Sequence, residues 1–476
     1  MPWASRHLAL RFFLPLAAGF GLAASATGAQ AQAPTDILFV GNSYTHGRYT
    51  PALNYNAGDA SDPSTSVVHD LLCPGTGTGA CTSGVEQVAS PQYPTNASLT
   101  TAGYTGLNNQ LNYLASTPGA SKQYTEVGPF GGVAGIFLQL TKEAGLNYNV
   151  SLIAVSSATL TGYANNTGSE AGDLALIENS QYSKVVLQDQ SFQPLPPTIN
   201  VNGTTVPTRG STTSSFQTGV SRLITDINTA HGGSNSTQIT LYQTPPIAAY
   251  GYASNNPNAP IFGSSTMASQ GGNKAYAPYI GDANPIAAMA SDVHNAYVGE
   301  AASAHAALGN SVNVALAGDA WVTAINKGFA QQDPFLVSEP AGQVDLWDSD
   351  ALLACCTVPI GYHPSADGDY LDAMSLFYTI TGVNPLTNAG IEAAEFDPNS
   401  GTFTGGAAAA LLENTDVGGS PDIISGDGAA SIAYDLALSA VITENNGGPV
   451  PEPASMAVLA AGLAGIAAVR RRRRRG

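Results

Sequence analysis

A short apolar run that ends in a sharp turn at a serine sets the beginning of the fold. Residues 37–40 read Ile-Leu-Phe-Val, a pattern typical of a buried strand. Gly41 and Asn42 follow as turn residues, and Ser43 comes next. A serine on a turn at the carboxyl end of such a strand points its hydroxyl into the crevice where α/β sheets bind ligands. Ser43 is therefore a candidate nucleophile, and a capping serine in an ordinary strand-to-loop turn is the alternative.

Apolar segments of strand length alternate with segments of helical periodicity along the chain. Further strands are predicted at 150–155, 183–187, 238–243 and 312–316, and helices at 132–145, 216–230, 286–307 and in a run ending at 382. Such alternation predicts βαβ units around a parallel sheet. Residues 49–128 are rich in Thr, Gly, Asn, Ser and Pro with little periodicity, and we expect long loops there.

The amino terminus has the pattern of a secretory signal. Arg6 and Arg11 lie before the apolar run 12–24, and small residues at 29–33 offer cleavage sites. The run is too short for a spanning helix. We therefore assign residues 1–33 to a signal peptide, with a retained anchor as the alternative.

The carboxyl terminus ends in a second targeting pattern. Val450-Pro451-Glu452-Pro453 precedes the apolar run 456–469, and residues 470–475 are all arginine. This pattern resembles the PEP-CTERM sorting tail of Gram-negative bacteria, which an exosortase reads. The resemblance implies a sorting segment at 449–476, with the basic cluster cytoplasmic and the body outside. The expected location is the periplasm, outer surface or extracellular matrix.

The charge of the chain argues against a nucleic-acid partner. Six of the 16 Lys and Arg residues lie in the tail and two in the signal, against 34 Asp and Glu in the chain. The body, residues 34–448, is therefore strongly acidic. Its composition does not predict disorder, because 43% of the residues of the chain are hydrophobic.

Two separated motifs resemble one enzyme family. Gly-Asn-Ser-Tyr-Thr at 41–45, after the apolar strand, resembles block I of the SGNH (GDSL-type) hydrolases in its Gly-Asn-Ser variant. His363, with Gly368 and Tyr370-Leu371 after it, resembles the last block of that family. The resemblance spans about 37–385. It implies a three-layer, flavodoxin-like parallel sheet in one domain, 34–448, with inserts at about 49–128 and 351–360.

The same resemblance assigns roles to individual residues. It implies that Ser43 is the nucleophile and His363 the base, and that no cofactor or metal is needed. The oxyanion would be bound by the backbone N–H of Ser43, that of Ser157 at a position where the family has glycine, and the side chain of Gln190 at the family's asparagine position. Gln188 is the second choice for that last role, and a polar strand end without a role is the alternative.

The orienting acid is less directly indicated. The family has an aspartate three residues before the histidine, and Ile360 stands there in this chain. An insertion of about ten residues, 351–360, would make Asp350 the acid, with Asp348 as the alternative. A third option is a Ser–His dyad in which a backbone carbonyl orients the imidazole.

Other residues that could carry chemistry receive plainer interpretations. His46 and His69 are read as ordinary loop histidines, since a zinc site would need more ligands at metal spacing. His294 and His305 are read as surface or packing residues. Asp319 follows a predicted strand and could reach the crevice, but capping the next helix is its plainer role.

Four cysteines in an exported chain predict disulfides. Cys355 and Cys356 are neighbours, and a bridge between adjacent residues is strained. We therefore favour cross-links from these two to Cys73 and Cys81. A Cys73–Cys81 loop with a vicinal pair is the competing pattern.

The sequence thus predicts an exported serine esterase with a Ser-His-Asp mechanism. The substrate would be a small-molecule or polysaccharide ester, and location suggests O-acyl groups on extracellular polysaccharide. The alternative is a catalytically silent surface or matrix protein on the same fold.

Overall fold

The computed structural model describes residues 33–48, 52–73, 81–88, 122–208, 213–248, 278–279, 282–332, 343, 346–347, 363–385, 388 and 390–391, with backbone alone at 81–88, 122–127 and 213. The chain divides into two units, Met1–Ala33 and Pro34–Gly476, and the fold below is that of the second. The predicted signal up to residue 32 and the whole predicted tail lie outside the described residues. Among the helices that are described, none is long and apolar enough to cross a membrane.

The described strands and helices alternate along the chain. The strands are β1 (Thr35–Gly41), β2 (Ala57–Asp59), β3 (Val68–Asp70), β4 (Cys81–Val88), β5 (Lys122–Gly128), β6 (Tyr148–Ala154), β7 (Lys184–Leu187), β8 (Thr198–Val201), β9 (Thr204–Pro207), β10 (Gln238–Tyr242) and β11 (Val312–Ala315). The α-helices are α1 (Ser43–His46), α2 (Gly132–Glu143), α3 (Leu160–Asn165), α4 (Leu174–Ile177), α5 (Thr213–Ala230), α6 (Pro285–Leu308), α7 (Ala317–Asn326) and α8 (Ala366–Thr381).

Seven of the strands form one parallel sheet. Its order is β11-β10-β7-β1-β6-β3-β2, and every neighbouring pair is parallel. The five strands β1, β6, β7, β10 and β11, numbered in chain order, take the order 2-1-3-4-5 of flavodoxin-like folds. The predicted α/β architecture around a parallel sheet is therefore confirmed.

The sheet is covered on both faces. Ile37 to Gly41 of β1 are all buried, although successive side chains of a strand point to opposite faces. Such continuous burial requires helices on both sides. Helix α2 packs against α8, and α5 packs against α3 and α6. The apolar stripe predicted at 132–145 faces the core, where the ring of Phe137 lies 5.3 Å from that of Phe39.

The prediction of loops throughout 49–128 is wrong in part. Strands β2 and β3 lie in this region and extend the main sheet beyond β6, while β4 and β5 form a separate antiparallel pair. Each of β2 and β3 has three residues, too few to show the alternation by which a strand is recognised in a sequence. The sheet edge, not the local pattern, supplies their stability.

The disulfide prediction can be followed at one cysteine. Cys73 is buried and is disulfide-bonded. The side chains of Cys81, Cys355 and Cys356 lie outside the described residues. Both pairing schemes therefore stay predictions.

Candidate active site

Three loops meet at the carboxyl edge of the sheet, around β1. Ser43 follows β1, Ser157 follows β6 on one side, and Gln190 follows β7 on the other. The strand register aligns Gly41 with Ala154 of β6. The crevice at which a flavodoxin-like sheet binds ligands lies where the strand order reverses, between β1 and β7. The predicted site residues thus lie around the expected crevice.

Ser43 and His363 are in direct contact. The hydroxyl of Ser43 lies 2.9 Å from Nε2 of His363. Both side chains are buried, with 5% and 3% of their surface exposed. The ring of Tyr44 lies 5.2 Å from the imidazole and limits its movement. A serine hydroxyl within hydrogen-bond reach of an imidazole is the arrangement that lets a base activate a nucleophile.

His363 lies just before helix α8, at a well-anchored helix start. The hydroxyl of Ser365 accepts a hydrogen bond from the N–H of Gly368 at 3.2 Å, as an N-cap does. The N–H of Ser365 donates to the carbonyl of Leu346 at 2.9 Å. These contacts fix the backbone that carries the imidazole.

The segment before the two predicted acids is anchored at the same place. Trp347 forms an antiparallel bridge with Pro364, and its indole N–H donates to the carbonyl of Pro246 at 2.8 Å. Asp348 and Asp350 themselves lie outside the described residues. The bridge holds the chain just before them beside the residue that follows the histidine.

The turn that carries Ser43 requires glycine at position 41. A Cβ there would lie 2.0 Å from Oγ1 of Thr45 and 2.6 Å from Oε1 of Gln188, well inside contact distance. Asn42 caps the short helix α1, because its side-chain oxygen accepts from the N–H of Tyr44 at 3.2 Å. The serine therefore sits in a turn whose backbone is closely packed.

Gln188 holds this turn rather than facing the crevice. Its Oε1 accepts from the N–H of Asn42 at 2.9 Å and from the hydroxyl of Thr45 at 2.8 Å. Its amide N–H donates to the carbonyl of Asp189. The geometry favours Gln190 over the second choice, Gln188, because the oxygen of the Gln188 side chain is held by the turn and one of its two N–H groups by the carbonyl of Asp189.

Two side chains tie the end of β1 to that of β6. The amide of Asn42 donates to the carbonyl of Ala158 at 3.0 Å. The buried hydroxyl of Tyr163 donates to the carbonyl of Gly41 at 2.7 Å and accepts from the N–H of Val155 at 3.1 Å. Neither tyrosine nor asparagine was predicted from the sequence for this role. The sequence marked Asn42 only as a turn residue, and Tyr163 gives no local signal.

Ser157 occupies a position that suits glycine. Its φ is +66°, in the left-handed region that glycine adopts most readily. The residue is exposed at the carboxyl edge. The turn after β6 therefore has a glycine-like backbone with serine in place.

Asp189 joins the other two loops. Its Oδ1 accepts from the N–H of Leu160 at 3.0 Å and from that of Gln190 at 2.7 Å. Burial raises the pKa of the Asp189 carboxyl to about 7, although these two hydrogen bonds act to lower it. Leu160 begins the helix after the Ser157 turn, so one buried carboxyl connects the segments that carry Ser157 and Gln190. The sequence analysis assigned no role to Asp189.

The side chain of Gln190 remains available to a ligand. It is half-buried, and within the described part of the chain the hydrogen bonds of Gln190 are made by its backbone, whose N–H donates to Asp189 and whose carbonyl accepts from the N–H of Gln193. An uncommitted amide at this loop can donate to a negative oxygen in the crevice.

His46 is not the ordinary loop histidine that the sequence predicts. It lies in α1 and is fully buried. Its ring stacks on Phe130 at 4.7 Å, and its Nε2 lies 3.2 Å from the hydroxyl of Ser156. His46 thus contacts the residue next to Ser157.

His69 lies in β3 and is half-buried. Within the described ranges there is no cluster of three or more His, Cys, Asp or Glu residues that could hold a metal.

One family model and a small set of solved structures are similar to this chain. The PEP-CTERM protein-sorting motif matches residues 449–474, which confirms the predicted sorting tail and marks an exported protein. No curated protein matches the sequence.

The similar structures cover most of the chain at low identity. A candidate SGNH hydrolase from Slackia heliotrinireducens is 15% identical, covers 73% of this chain and 100% of its own, and has a TM-score of 0.31. A DUF4886 family protein from Bacteroides uniformis is 10% identical, with coverage of 88% and 98% and a TM-score of 0.36. A carbohydrate acetylesterase from Sinorhizobium meliloti is 11% identical, with coverage of 73% and 99% and a TM-score of 0.30. At these scores the likeness carries no argument about activity.

Proposed function

We propose that the protein is an exported serine esterase that uses Ser43 as its nucleophile and His363 as its general base. One observation carries the proposal: the 2.9 Å contact between the Ser43 hydroxyl and Nε2 of His363 at the carboxyl edge of the sheet. A serine hydroxyl at its ordinary pKa is a weak nucleophile, and this contact supplies the base that it needs.

The reaction follows from the two side chains. Oγ of Ser43 attacks the ester carbonyl carbon while Nε2 of His363 takes the hydroxyl proton. The tetrahedral intermediate collapses, the bond to the alcohol oxygen breaks, and the imidazolium gives its proton to the leaving alcohol. Water then attacks the acyl-serine with the same base, releasing the acid and restoring Ser43.

The oxyanion of the intermediate needs hydrogen-bond donors placed in advance. The proposed donors are the backbone N–H groups of Ser43 and Ser157 and the side-chain amide of Gln190. The left-handed backbone at Ser157 and the uncommitted amide of Gln190 support these roles. Asn42 and Asp189 hold the three segments together through hydrogen bonds.

The imidazole also needs an orienting acceptor. Asp350 is the proposed acid, with Asp348 as the alternative and a backbone carbonyl as the third. The bridge between Trp347 and Pro364 supports an acid from this segment, because it holds Trp347, which directly precedes Asp348, beside the residue that follows His363.

The substrate class comes from location. The sorting tail marks an exported protein, and an exported esterase meets O-acyl groups on extracellular polysaccharide. An exosortase-type enzyme is the proposed partner at the tail. If the tail is processed near Pro451, mass spectrometry of the secreted protein should find no peptide from 470–475. Full retention of that peptide would count against the sorting role.

A fluorophosphonate probe tests the proposal, since it reacts with an activated serine and not with an ordinary one. We expect labelling of the folded protein at the peptide that contains Ser43, and none in a His363→Ala variant that retains its fold. Absence of labelling at Ser43 in the wild-type protein would favour the silent surface or matrix protein instead.

A further inference from the structure

A carboxylate–imidazole pair, separate from the Ser43–His363 contact, lies at the same edge of the sheet. Nδ1 of His294, in α6, lies 2.5 Å from Oδ2 of Asp319, in the first turn of α7. The interpretation of Asp319 as a helix cap is wrong, because α7 has Leu316 at its N-cap position and no side-chain cap. Its carboxylate instead contacts the histidine that the sequence assigned to surface or packing.

The carboxylate is held in place by a buried side chain. Nε2 of Gln243 donates to Oδ1 of Asp319 at 3.1 Å, and the N–H of Asp319 donates to Oε1 of Gln243 at 3.2 Å. Gln243 is fully buried. This reciprocal pairing fixes Asp319, and Asp319 in turn fixes the imidazole, so the pair is a built arrangement and not a chance surface contact.

The pair and Ser43 share one edge of the sheet. The register places Val40 of β1 beside Leu187, and Leu187 beside Leu241 of β10. Gln243 lies two residues after Leu241, and Ser43 lies three residues after Val40, so both stand just beyond the carboxyl ends of their strands. Neighbouring strands lie about 4.8 Å apart, so β10 and β11 lie about 10 and about 14 Å from β1. The His294–Asp319 pair therefore lies on the β10–β11 side of the crevice, two to three strand spacings from β1.

The pair leaves one ring nitrogen for a ligand. Nδ1 of His294 is committed to the carboxylate, and within the described residues no group hydrogen-bonds its Nε2. The side chains of His294 and Asp319 are 36% and 25% exposed. An imidazole whose Nδ1–H is held by a carboxylate presents Nε2 as an acceptor, which suits a hydroxyl group.

We propose that His294, oriented by Asp319, forms a hydroxyl-binding subsite for the alcohol part of an extended ester substrate such as an acylated oligosaccharide. This inference rests on the proposed esterase function and names its substrate class. The competing explanation is that the pair only ties α6 to α7. In that case its loss would affect all substrates alike.

The test compares two esters in the full-length protein. The measured quantity is the ratio of kcat/KM for O-acetylated xylotetraose to kcat/KM for 4-nitrophenyl acetate. The nitrophenyl group of the second ester carries no free hydroxyl that a subsite could bind. We expect His294→Ala to lower this ratio about three- to tenfold, the effect of one lost hydrogen bond. His305→Ala is the matched control, because His305 lies exposed on the same helix with its Nδ1 bonded to the carbonyl of Asn310; its ratio should stay at the wild-type value.

The possible outcomes distinguish failure of the subsite from failure of the esterase proposal. If His294→Ala does not fold, Asp319→Asn removes the charge that orients the ring and should also lower the ratio. An unchanged ratio in folded variants, whether or not both values fall, overturns the subsite. Wild-type turnover of the nitrophenyl ester without turnover of the oligosaccharide also overturns it. Failure of the wild type on both esters overturns the esterase proposal itself, and the subsite with it.

Discussion

The hydroxyl of Ser43 and Nε2 of His363 lie 2.9 Å apart although 320 residues separate them in the chain. The contact exists because β1 lies at the centre of the sheet and the start of α8 returns to its carboxyl edge. Asn42, Gln188, Tyr163 and Asp189 then tie the surrounding loops together. The candidate site is thus a hydrogen-bonded unit, and each part predicts a measurable effect.

Gln190→Ala tests the proposed oxyanion donor. Loss of one donor should lower kcat about a hundredfold or more and change KM far less, because the hydrogen bond strengthens in the transition state. The measurement is steady-state kinetics on a short acyl ester. Gln217→Ala, at an exposed position on α5, is the control. A wild-type kcat in Gln190→Ala would remove this residue from the oxyanion site.

Two substitutions at Asp189 test whether its carboxyl holds together the segments that carry Ser157 and Gln190. Asp189→Asn keeps an oxygen that accepts from the N–H groups of Leu160 and Gln190, so we expect a stability close to wild type. Asp189→Leu leaves the buried N–H of Leu160 and the part-buried N–H of Gln190 without this acceptor, at a cost of about 1–3 kcal/mol for the buried group and less for the other. Urea unfolding measures the difference. Equal stability of the two variants would show that the hydrogen bonds to Asp189 contribute little.

Asp372 predicts a pH dependence of stability. Its carboxyl accepts from the hydroxyl of Tyr242 at 2.5 Å and from the indole N–H of Trp321 at 2.8 Å. Burial nevertheless raises the pKa of Asp372 from 3.8 to about 7. Between about pH 4 and pH 7 the folded protein therefore binds more protons than the unfolded chain, and its free energy of unfolding falls as the pH rises.

Asp372→Asn should reduce the slope of this dependence, because the amide keeps the shape and has no proton to lose in this range. Asp189, whose carboxyl pKa burial also raises to about 7, accounts for part of the slope that remains. The measurement is the free energy of unfolding at pH 5 and at pH 7.5 for wild type and variant. Asp62→Asn, which removes the same charge from a half-exposed loop position, should keep the wild-type slope. An unchanged slope in Asp372→Asn would contradict the assignment.

The orienting acid can be identified by comparing Asp350→Asn with Asp348→Asn. Substitution of the orienting acid should lower kcat more than Gln190→Ala does and less than Ser43→Ala does, because without the acid His363 can adopt the wrong tautomer. The other variant should be near neutral. Wild-type rates in both would exclude an acid from this segment and leave a backbone carbonyl to orient the ring.

Local patterns predicted the parallel sheet and the turn at Ser43, which stands on a strand-to-turn boundary. His363 was indicated only by the resemblance of the spacing around it to a family motif. The three-residue strands β2 and β3 carry none, because the sheet edge stabilises them. Gln188 and Gln190 illustrate a further limit: both suit an oxyanion donor by type, and only the packed structure shows that Gln188 bonds to the Ser43 turn.

The most direct test of the account is turnover by Ser43→Ala. Ser43 lies in a packed turn, but alanine keeps the Cβ, so the variant should fold and melt like the wild type. We predict that purified, folded Ser43→Ala loses hydrolysis of a short acyl ester that the wild type turns over, and that His363→Ala loses nearly as much, because the two act as one unit. Wild-type turnover by folded Ser43→Ala would contradict the serine-hydrolase mechanism.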